Sequence, residues 1–102
     1  MKINWSPFAI EDLTAIRAYI SEFNPEAANN IAAKIVYAVN FLGSHPNMGV
    51  QMHRTDVRKL IVAQAPYVIP YRIFDGEIEI IEVFDSRQRA PRTDIGTVPD
   101  IK

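Results

Sequence analysis

The sequence contains no cysteine, and that absence removes several kinds of chemistry at once. Without thiols there is no disulfide framework, no thiolate-bound zinc and no cysteine nucleophile, which suits a reducing compartment. No apolar run approaches the roughly 20 residues of a membrane-spanning helix. The first residues, MKINWSPF, also lack the apolar stretch of a secretion signal. We therefore expect a cytoplasmic protein without a membrane segment.

A strong net charge of either sign is also missing, because the chain has 11 basic and 12 acidic residues and a net charge of -1. This balance gives no general attraction to nucleic acid, so electrostatic recognition must be local. His45 and His53 are the only histidines, and neither has a carboxylate or a second histidine at metal-ligand spacing. With 102 residues, the chain is long enough for one domain. We expect no metal and no cofactor.

Two helix starts are marked by a capping residue followed by proline, at Ser6-Pro7 and Asn24-Pro25. Apolar residues then recur at steps of three and four, which predicts one buried stripe on each helix. The first stripe contains Ala9, Leu13, Ile16, Ile20 and Phe23, and the second contains Ala28, Ile31, Ile35, Val39 and Leu42, with Gly43 as the expected C-terminal cap.

Strand patterns lie on both sides of this helical hairpin. A short strand is predicted at residues 2–5, and residues 44–56 are predicted to be a loop because they contain proline, glycine and no periodicity. Asp75-Gly76 is a typical hairpin turn. It joins the last two of three strands predicted at residues 57–62, 67–74 and 77–84.

Two details of these strands need explanation. In the strand predicted at residues 77–84, apolar residues occupy both even positions, Ile78 and Ile80, and odd positions, Ile81 and Val83. Side chains at even and odd positions point to opposite faces, so this pattern indicates a central strand that is covered on both faces. Pro70 stands inside a predicted strand although it has no N–H for a ladder. We expect it to lie where its donor would face away from a partner, or at a bulge that bends the strand.

The order β, α, α, β, β, β predicts an α+β fold. The helical hairpin is expected to pack on one face of a small, mainly antiparallel sheet of three or four strands. Residues 1–90 form the expected domain. Residues 91–102 have two prolines, a glycine and no apolar period, which predicts an extended tail.

Arginine is concentrated in the second half of the chain, at Arg54, Arg58, Arg72, Arg87, Arg89 and Arg92. The planar guanidinium suits phosphates and carboxylates, so a cluster of them could bind nucleic acid or an acidic partner. The same half has eight acidic residues against eight basic ones, so a salt-bridged sheet edge is the alternative. His53 could transfer a proton near neutral pH.

A series of short motifs runs through the chain in a fixed order. It comprises W-S-P-F-A with D-L at 12–13, Y-I at 19–20, N-P-E-A-A at 24–28, L-x-x-x-P-x-x-G ending at Gly49, V-R-K-L at 57–60, P-Y-V-I-P-Y-R at 66–72, I-x-I-I-x-V-F at 78–84 and S-R-Q at 86–88. In this order the motifs resemble the RelE/ParE superfamily of type II toxins from bacterial toxin-antitoxin pairs, and more closely its ParE branch. The resemblance covers about residues 3 to 88.

The resemblance implies a central strand whose tyrosines pack beneath the helical hairpin and whose Arg72 reaches a functional face. The alternative for Arg72 is a structural pair with Glu79 or Glu82 on the neighbouring strand. A cognate antitoxin is also implied, with a disordered segment that folds onto the sheet and the hairpin in a hetero-oligomer.

Members of the superfamily have two different activities. RelE-like toxins cleave messenger RNA on the ribosome, whereas ParE-like toxins poison DNA gyrase, with growth arrest and plasmid stabilisation as consequences. Here Asp85 follows the last strand, where many relatives have histidine, and no tyrosine follows Tyr71. An aspartate repels a scissile phosphate and does not titrate near neutrality, which favours gyrase poisoning. A ribonuclease and a non-toxic antitoxin-binding module remain the alternatives, so catalysis stays open.

The resemblance makes the arginines the candidate functional residues. For contact with gyrase or antitoxin the candidates are Arg58, Arg72, Arg87, Gln88, Arg89 and Arg92. For ribonuclease activity the candidates are Arg58, Arg72 and Arg87 as phosphate ligands, with His53 for proton transfer.

Overall fold

Two helices and a mixed sheet make up the fold, which a computed structural model describes for residues 1–53 and 55–87. The elements in chain order are β1 (Ile3–Trp5), α1 (Pro7–Ser21), α2 (Pro25–Phe41), β2 (Val50–Gln51), β3 (Val57–Ile61), β4 (Tyr67–Phe74), β5 (Glu77–Ile80) and β6 (Phe84–Asp85). The α+β prediction is confirmed. The tail predicted at residues 91–102 lies outside the described residues. In the described part, neither helix has the length and apolar character needed to cross a membrane.

The sheet has the strand order β1-β5-β4-β3-β2, and β6 also pairs with β4. β1 runs parallel to β5, whereas the other pairs are antiparallel. The described residues thus form six strands instead of the expected three or four. β2 and β6 have two residues each, too few to produce an alternating pattern, and β2 lies inside the segment that we predicted as loop.

Both helices begin at the residues that the capping pattern predicts. Ser6 Oγ accepts a hydrogen bond from the Ala9 N–H at 3.0 Å, and Asn24 Oδ1 accepts one from the Ala27 N–H at 3.1 Å. The prediction of a glycine cap for α2 is wrong. Its last turn is capped by Leu42, and the following Gly43 does not have the positive φ of such a cap.

The core lies between the helical hairpin and one face of the sheet, and it contains Ala9, Ile35, Val39, Leu42, Leu60, Val62, Tyr67, Ile69, Tyr71, Ile78, Ile80 and Val83. The stripe predicted on α2 and the burial of both strand tyrosines are confirmed. The stripe on α1 fails at Phe23, which is 74% exposed. Because α1 ends at Ser21, the helical period no longer directs that side chain inward.

A β-bulge interrupts the strand that we predicted at residues 77–84. Tyr71 on β4 pairs with Ile80 on β5, but Val68 on β4 pairs with Phe84 on β6. Two residues of β4 therefore stand opposite three residues of the partner, which leaves one extra residue on the partner side. The strand is continuous in sequence but is split into β5 and β6.

The bulge also explains why apolar residues occupy both even and odd positions in this stretch. Ile78 and Ile80 point into the core before the bulge, and Val83 points into it afterwards, because one extra residue shifts the alternation. β5 is central, as predicted, since it lies between β1 and β4. The inference that both of its faces are covered was wrong, because the pattern came from a shift in register.

Pro70 faces this bulge across the sheet. Its carbonyl accepts a hydrogen bond from the Ile81 N–H at 2.9 Å. The nitrogen and carbonyl of one strand residue point to the same side, so the missing donor of Pro70 faces the bulge and not β3. The ladder between β3 and β4 therefore loses no hydrogen bond, as the prediction for this proline required.

The turn between β4 and β5 follows the sequence signal. Asp75 and Gly76 have φ values of 53° and 76°, so both are left-handed. Two left-handed central residues define the turn type whose twist matches a tight hairpin. The predicted hairpin is confirmed.

The start of α1 is bonded directly to the bulge. Ser6 Oγ donates to the Ile81 carbonyl at 2.7 Å, while the Ser6 N–H donates to the Ile80 carbonyl at 3.0 Å and continues the β1–β5 ladder. In the second turn of α1, the carboxylate of the buried Asp12 accepts the Val83 N–H at 3.0 Å. Backbone groups that the bulge leaves without ladder partners are thus satisfied by α1.

We predict that Asp12→Ala lowers the free energy of unfolding by about 1–3 kcal/mol, because it removes a buried acceptor of the Val83 N–H. Asp12→Asn keeps an oxygen at this position and should cost less. Chemical denaturation measures both. Glu11→Ala, an exposed acid one residue away on the same helix, is the control and should have little effect. Equal losses for Asp12→Ala and Glu11→Ala would contradict the assigned role.

Candidate functional site

The three described candidate arginines do not form one cluster. Arg58 pairs with Tyr71 across the β3–β4 ladder and therefore shares the helix-covered face of the sheet. Arg72 is the next residue on β4 and points to the opposite face. Arg87 follows β6, whose Asp85 pairs with Tyr67 near the other end of β4. Each arginine therefore has its own environment.

Arg72 is held by residues of the chain itself. Its Nε donates to Glu79 Oε1 at 2.7 Å, its Nη1 lies 3.8 Å from Asp56 Oδ2, and its guanidinium stands 4.9 Å from the centre of the Phe74 ring. The hydrogen bond with Glu79 raises the pKa of Arg72. The structural pair that we considered for Arg72 is thus present, with Glu79 as the partner.

Arg87 binds Asp85, the last residue of β6. Arg87 Nη2 donates to Asp85 Oδ2 at 2.8 Å and Nε donates to Oδ1 at 3.1 Å, which is a two-point contact. This contact lowers the pKa of Asp85. The Arg87 side chain is 72% exposed, so one side of the guanidinium still faces solvent.

Arg58 binds a loop of its own chain. Its Nη1 donates to the Gly49 carbonyl at 2.8 Å and to the Asn47 carbonyl at 3.2 Å. These carbonyls belong to the segment between α2 and β2. Sequence reasoning placed Arg58 among phosphate or partner contacts and missed this role, because the loop reaches β3 only through the tertiary fold.

The proposed ribonuclease residues are not assembled in the described part of the chain. His53 lies exposed in a turn, and no hydrogen bond or ion pair among the described residues joins it to any of the three arginines. The same residues contain no group of three side chains placed to hold a metal ion. The candidates Gln88, Arg89 and Arg92, like Arg54, lie outside the described residues.

A groove between α2 and β3 is the feature that the sequence reasoning did not find. Its volume is about 570 Å³. It is lined by Lys34, Tyr37, Ala38 and Phe41 from α2, by Met48, Gly49 and Val50, and by residues 59–64. The exposed lining side chains are mostly apolar, and the charged ones in the described part are lysines. The surface therefore suits an amphipathic segment with acidic residues.

A signal for this groove exists in the sequence of α2. Tyr37 and Phe41 are four residues apart and fall outside the stripe that fills the core. A helix with a second apolar face needs a second partner. That signal alone could not identify the opposite wall, which comes from Met48, Val50 and β3.

The edge of the sheet beside the groove is only partly covered. β2 pairs with Arg58 and Lys59 of β3 and stops there. On the side of β3 that faces away from β4, Leu60 and Ile61 have no strand partner among the described residues. An incompletely paired edge can accept an added strand.

A protein-family model described as "ParE toxin of type II toxin-antitoxin system, parDE" matches residues 3–90. This chain belongs to the ParE toxin family. The toxin is 36% identical over 91 residues to the Y4kP protein of Sinorhizobium fredii, covering 89% of this chain and 94% of that one. It is 37% identical over 82 residues to the toxin RelE2 of Caulobacter vibrioides, covering 80% and 91%.

Solved structures agree with the family. The toxin matches a chain of the chromosomal ParDE toxin-antitoxin system of P. aeruginosa with a TM-score of 0.75 and 28% identity, covering 83% of this chain and 95% of that one. It matches a chain of the RelBE2 toxin-antitoxin complex of Mycobacterium tuberculosis with a TM-score of 0.56, over 82% and 95%, and the 18% identity makes this a likeness of fold alone. This chain is therefore the toxin component of a type II toxin-antitoxin system.

For this ParE-family toxin we predict that Arg72→Ala and Glu79→Ala act on the same interaction. In a double-mutant cycle their coupling should be at most about 1 kcal/mol, because the pair is partly exposed, and it should fall as salt is added. Chemical denaturation of the two single variants and the double variant measures it. If the losses in the free energy of unfolding are strictly additive at low salt, the contact between Arg72 and Glu79 contributes nothing to stability.

Proposed function

We propose that this toxin inhibits DNA gyrase through surface contacts and does not cleave RNA. The observation that carries the proposal is the state of Arg58, Arg72 and Arg87, each already bonded to a carboxylate or to loop carbonyls of its own chain. A ribonuclease needs cationic groups aimed at a phosphate and a proton-transfer residue beside them. The match to the ParE family supports the same target.

Asp85, the last residue of β6, supports this proposal from the electrostatic side. The lowered pKa of Asp85 keeps this carboxylate ionised at neutral pH. Its negative charge offsets the charge of Arg87 and would oppose a phosphate at this position. A toxin that binds a protein–DNA complex through exposed arginines does not need a proton donor here.

The antitoxin in this proposal binds in the groove between α2 and β3. The exposed apolar side chains of Tyr37, Phe41 and Ile61 provide anchoring contacts, and Lys34 at the same groove complements acidic residues of the partner. The open edge of β3 adds backbone hydrogen bonds for an extended segment. The match to a chain of the ParDE toxin-antitoxin system supports a partner of this kind. The cellular form is then a cytoplasmic hetero-oligomer.

We predict that the antitoxin-free toxin causes gyrase-dependent DNA cleavage and leaves messenger RNA on ribosomes intact. Both assays use one purified sample. Replacing Arg87 and Arg89 together by alanine should lower DNA cleavage at least tenfold, since the side of the Arg87 guanidinium that does not bind Asp85 is open to a large partner. Arg17→Ala is the control: it also removes an arginine that binds a residue of its own chain, Asn29 on the neighbouring helix, but it lies away from the C-terminal stretch.

RNA cleavage without DNA cleavage would reverse this proposal in favour of the RelE-like activity. Inactivity in both assays, with a folded protein, would favour a non-toxic antitoxin-binding module. Full DNA cleavage by the double arginine variant would leave gyrase as the target but would contradict the choice of residues.

We predict that Ile61→Glu weakens antitoxin binding by at least 30-fold, equivalent to about 2 kcal/mol, because it adds a carboxylate to an apolar groove that suits acidic partners. Ile10→Glu is the matched control, since Ile10 is 54% exposed and Ile61 is 60% exposed. Ile10 lies on α1, outside the groove lining. Calorimetry with the purified cognate antitoxin measures both, and equal affinities for the two variants would reject the site.

A further inference from the structure

One buried phenol ties the sheet to the segment that forms the end of the groove. We call residues 46–50 the wall loop, since its Met48, Gly49 and Val50 line the groove. Tyr71 Oη accepts the Gly49 N–H at 2.9 Å and donates to the Pro46 carbonyl at 2.7 Å. Burial raises the pKa of Tyr71, so its hydroxyl stays protonated and able to donate. One side chain thus satisfies two backbone groups of the wall loop.

Arg58 provides a second tie from the adjacent strand. Its guanidinium donates to the Asn47 and Gly49 carbonyls, at 3.2 Å and 2.8 Å. Arg58 and Tyr71 are directly opposed in the β3–β4 ladder. The wall loop is therefore held at three of its residues by one cross-strand pair.

The fit at Gly49 is close enough to exclude a side chain. A Cβ built on Gly49 would lie 2.6 Å from Tyr71 Cε1, 2.8 Å from Tyr71 Oη and 2.9 Å from the Lys59 carbonyl oxygen. Real Cβ atoms do not approach other atoms so closely. The glycine allows the wall loop to lie against the ring, and the ring then fixes the position of Met48 and Val50.

We propose that Tyr71 and Arg58 are positioning residues for antitoxin binding, which hold the wall loop in place before the partner arrives. This inference rests on the groove being the antitoxin site, as proposed above. A wall that is already ordered avoids the entropy of ordering it on binding, so the hydroxyl of Tyr71 increases affinity. Tyr71 is 0% exposed, so the partner does not touch it and its effect on affinity is indirect.

The diagnostic variant is Tyr71→Phe, which removes the hydroxyl and keeps the ring. Tyr67→Phe is its matched control: Tyr67 is on the same strand, is buried, and makes no hydrogen bond through its hydroxyl among the described residues. We expect Tyr71→Phe to speed amide hydrogen exchange at Gly49 at least tenfold in the free toxin. We also expect about tenfold weaker binding of the purified antitoxin, with the change mostly in the dissociation rate. Tyr67→Phe should change the exchange rate at Gly49 and the affinity for antitoxin by less than twofold.

A variant matched for stability separates positioning from general destabilisation. Ile35→Val removes one methyl group from the core on α2 and should lower stability by an amount similar to Tyr71→Phe. Because Ile35 does not line the groove, this variant should bind antitoxin normally. If Ile35→Val weakens binding as much as Tyr71→Phe, the positioning role is overturned.

The failure of this inference can be distinguished from the failure of the proposed site. If Ile61→Glu weakens antitoxin binding and Tyr71→Phe behaves like Tyr67→Phe, the site stands and the positioning role is overturned. If Ile61→Glu has no effect, the groove is not the antitoxin site and the role in antitoxin binding is overturned with it. Faster exchange at Gly49 in that case would assign the Tyr71 contact to folding alone.

Discussion

The hydrogen bond between the Asp12 carboxylate and the Val83 N–H, 3.0 Å long, fixes the first helix to the sheet at the bulge. The arrangement of the C-terminal half depends on it. Without a partner for this buried amide, the extra residue between β5 and β6 would leave an unsatisfied donor in the core. With it, Val83 packs inward and β6 reaches the far end of β4, where Asp85 and Arg87 then lie. The D-L step of the sequence motif is thus primarily a structural element.

Strand β4 connects the two surfaces to which we assign a function by proposal. One neighbour is β6, which carries the Asp85–Arg87 pair, and the other is β3, which borders the groove. Tyr71 on the same strand supports the wall loop. The described arginines form internal hydrogen bonds, so charge in this molecule mainly fixes local geometry. In the proposed function, recognition is assigned to apolar side chains exposed at the groove and to the open side of the Arg87 guanidinium.

What the sequence could predict was local. The caps at Ser6 and Asn24 and the turn at Asp75-Gly76 depend on neighbours within three residues, and all three were predicted correctly. The bulge depends on how two strands align with α1, which no short pattern contains. The role of Arg58 depends on a loop 9 to 11 residues before it, a separation that helix and strand patterns do not cover. The arginine candidates were therefore named from residue type, and their actual partners came from the tertiary structure.

The topology also constrains how an antitoxin can neutralise the toxin. β3 and β6 lie on opposite sides of β4, so the groove and Arg87 are separated by at least two strand spacings, about 10 Å. A segment seated only in the groove leaves Arg87 uncovered. An extended chain advances about 3.3 Å per residue, so roughly three or four further residues would reach Arg87. With the proposed groove and the proposed role of Arg87, neutralisation by direct cover therefore requires a segment that continues across β4, whereas a shorter segment can act only by excluding the larger target.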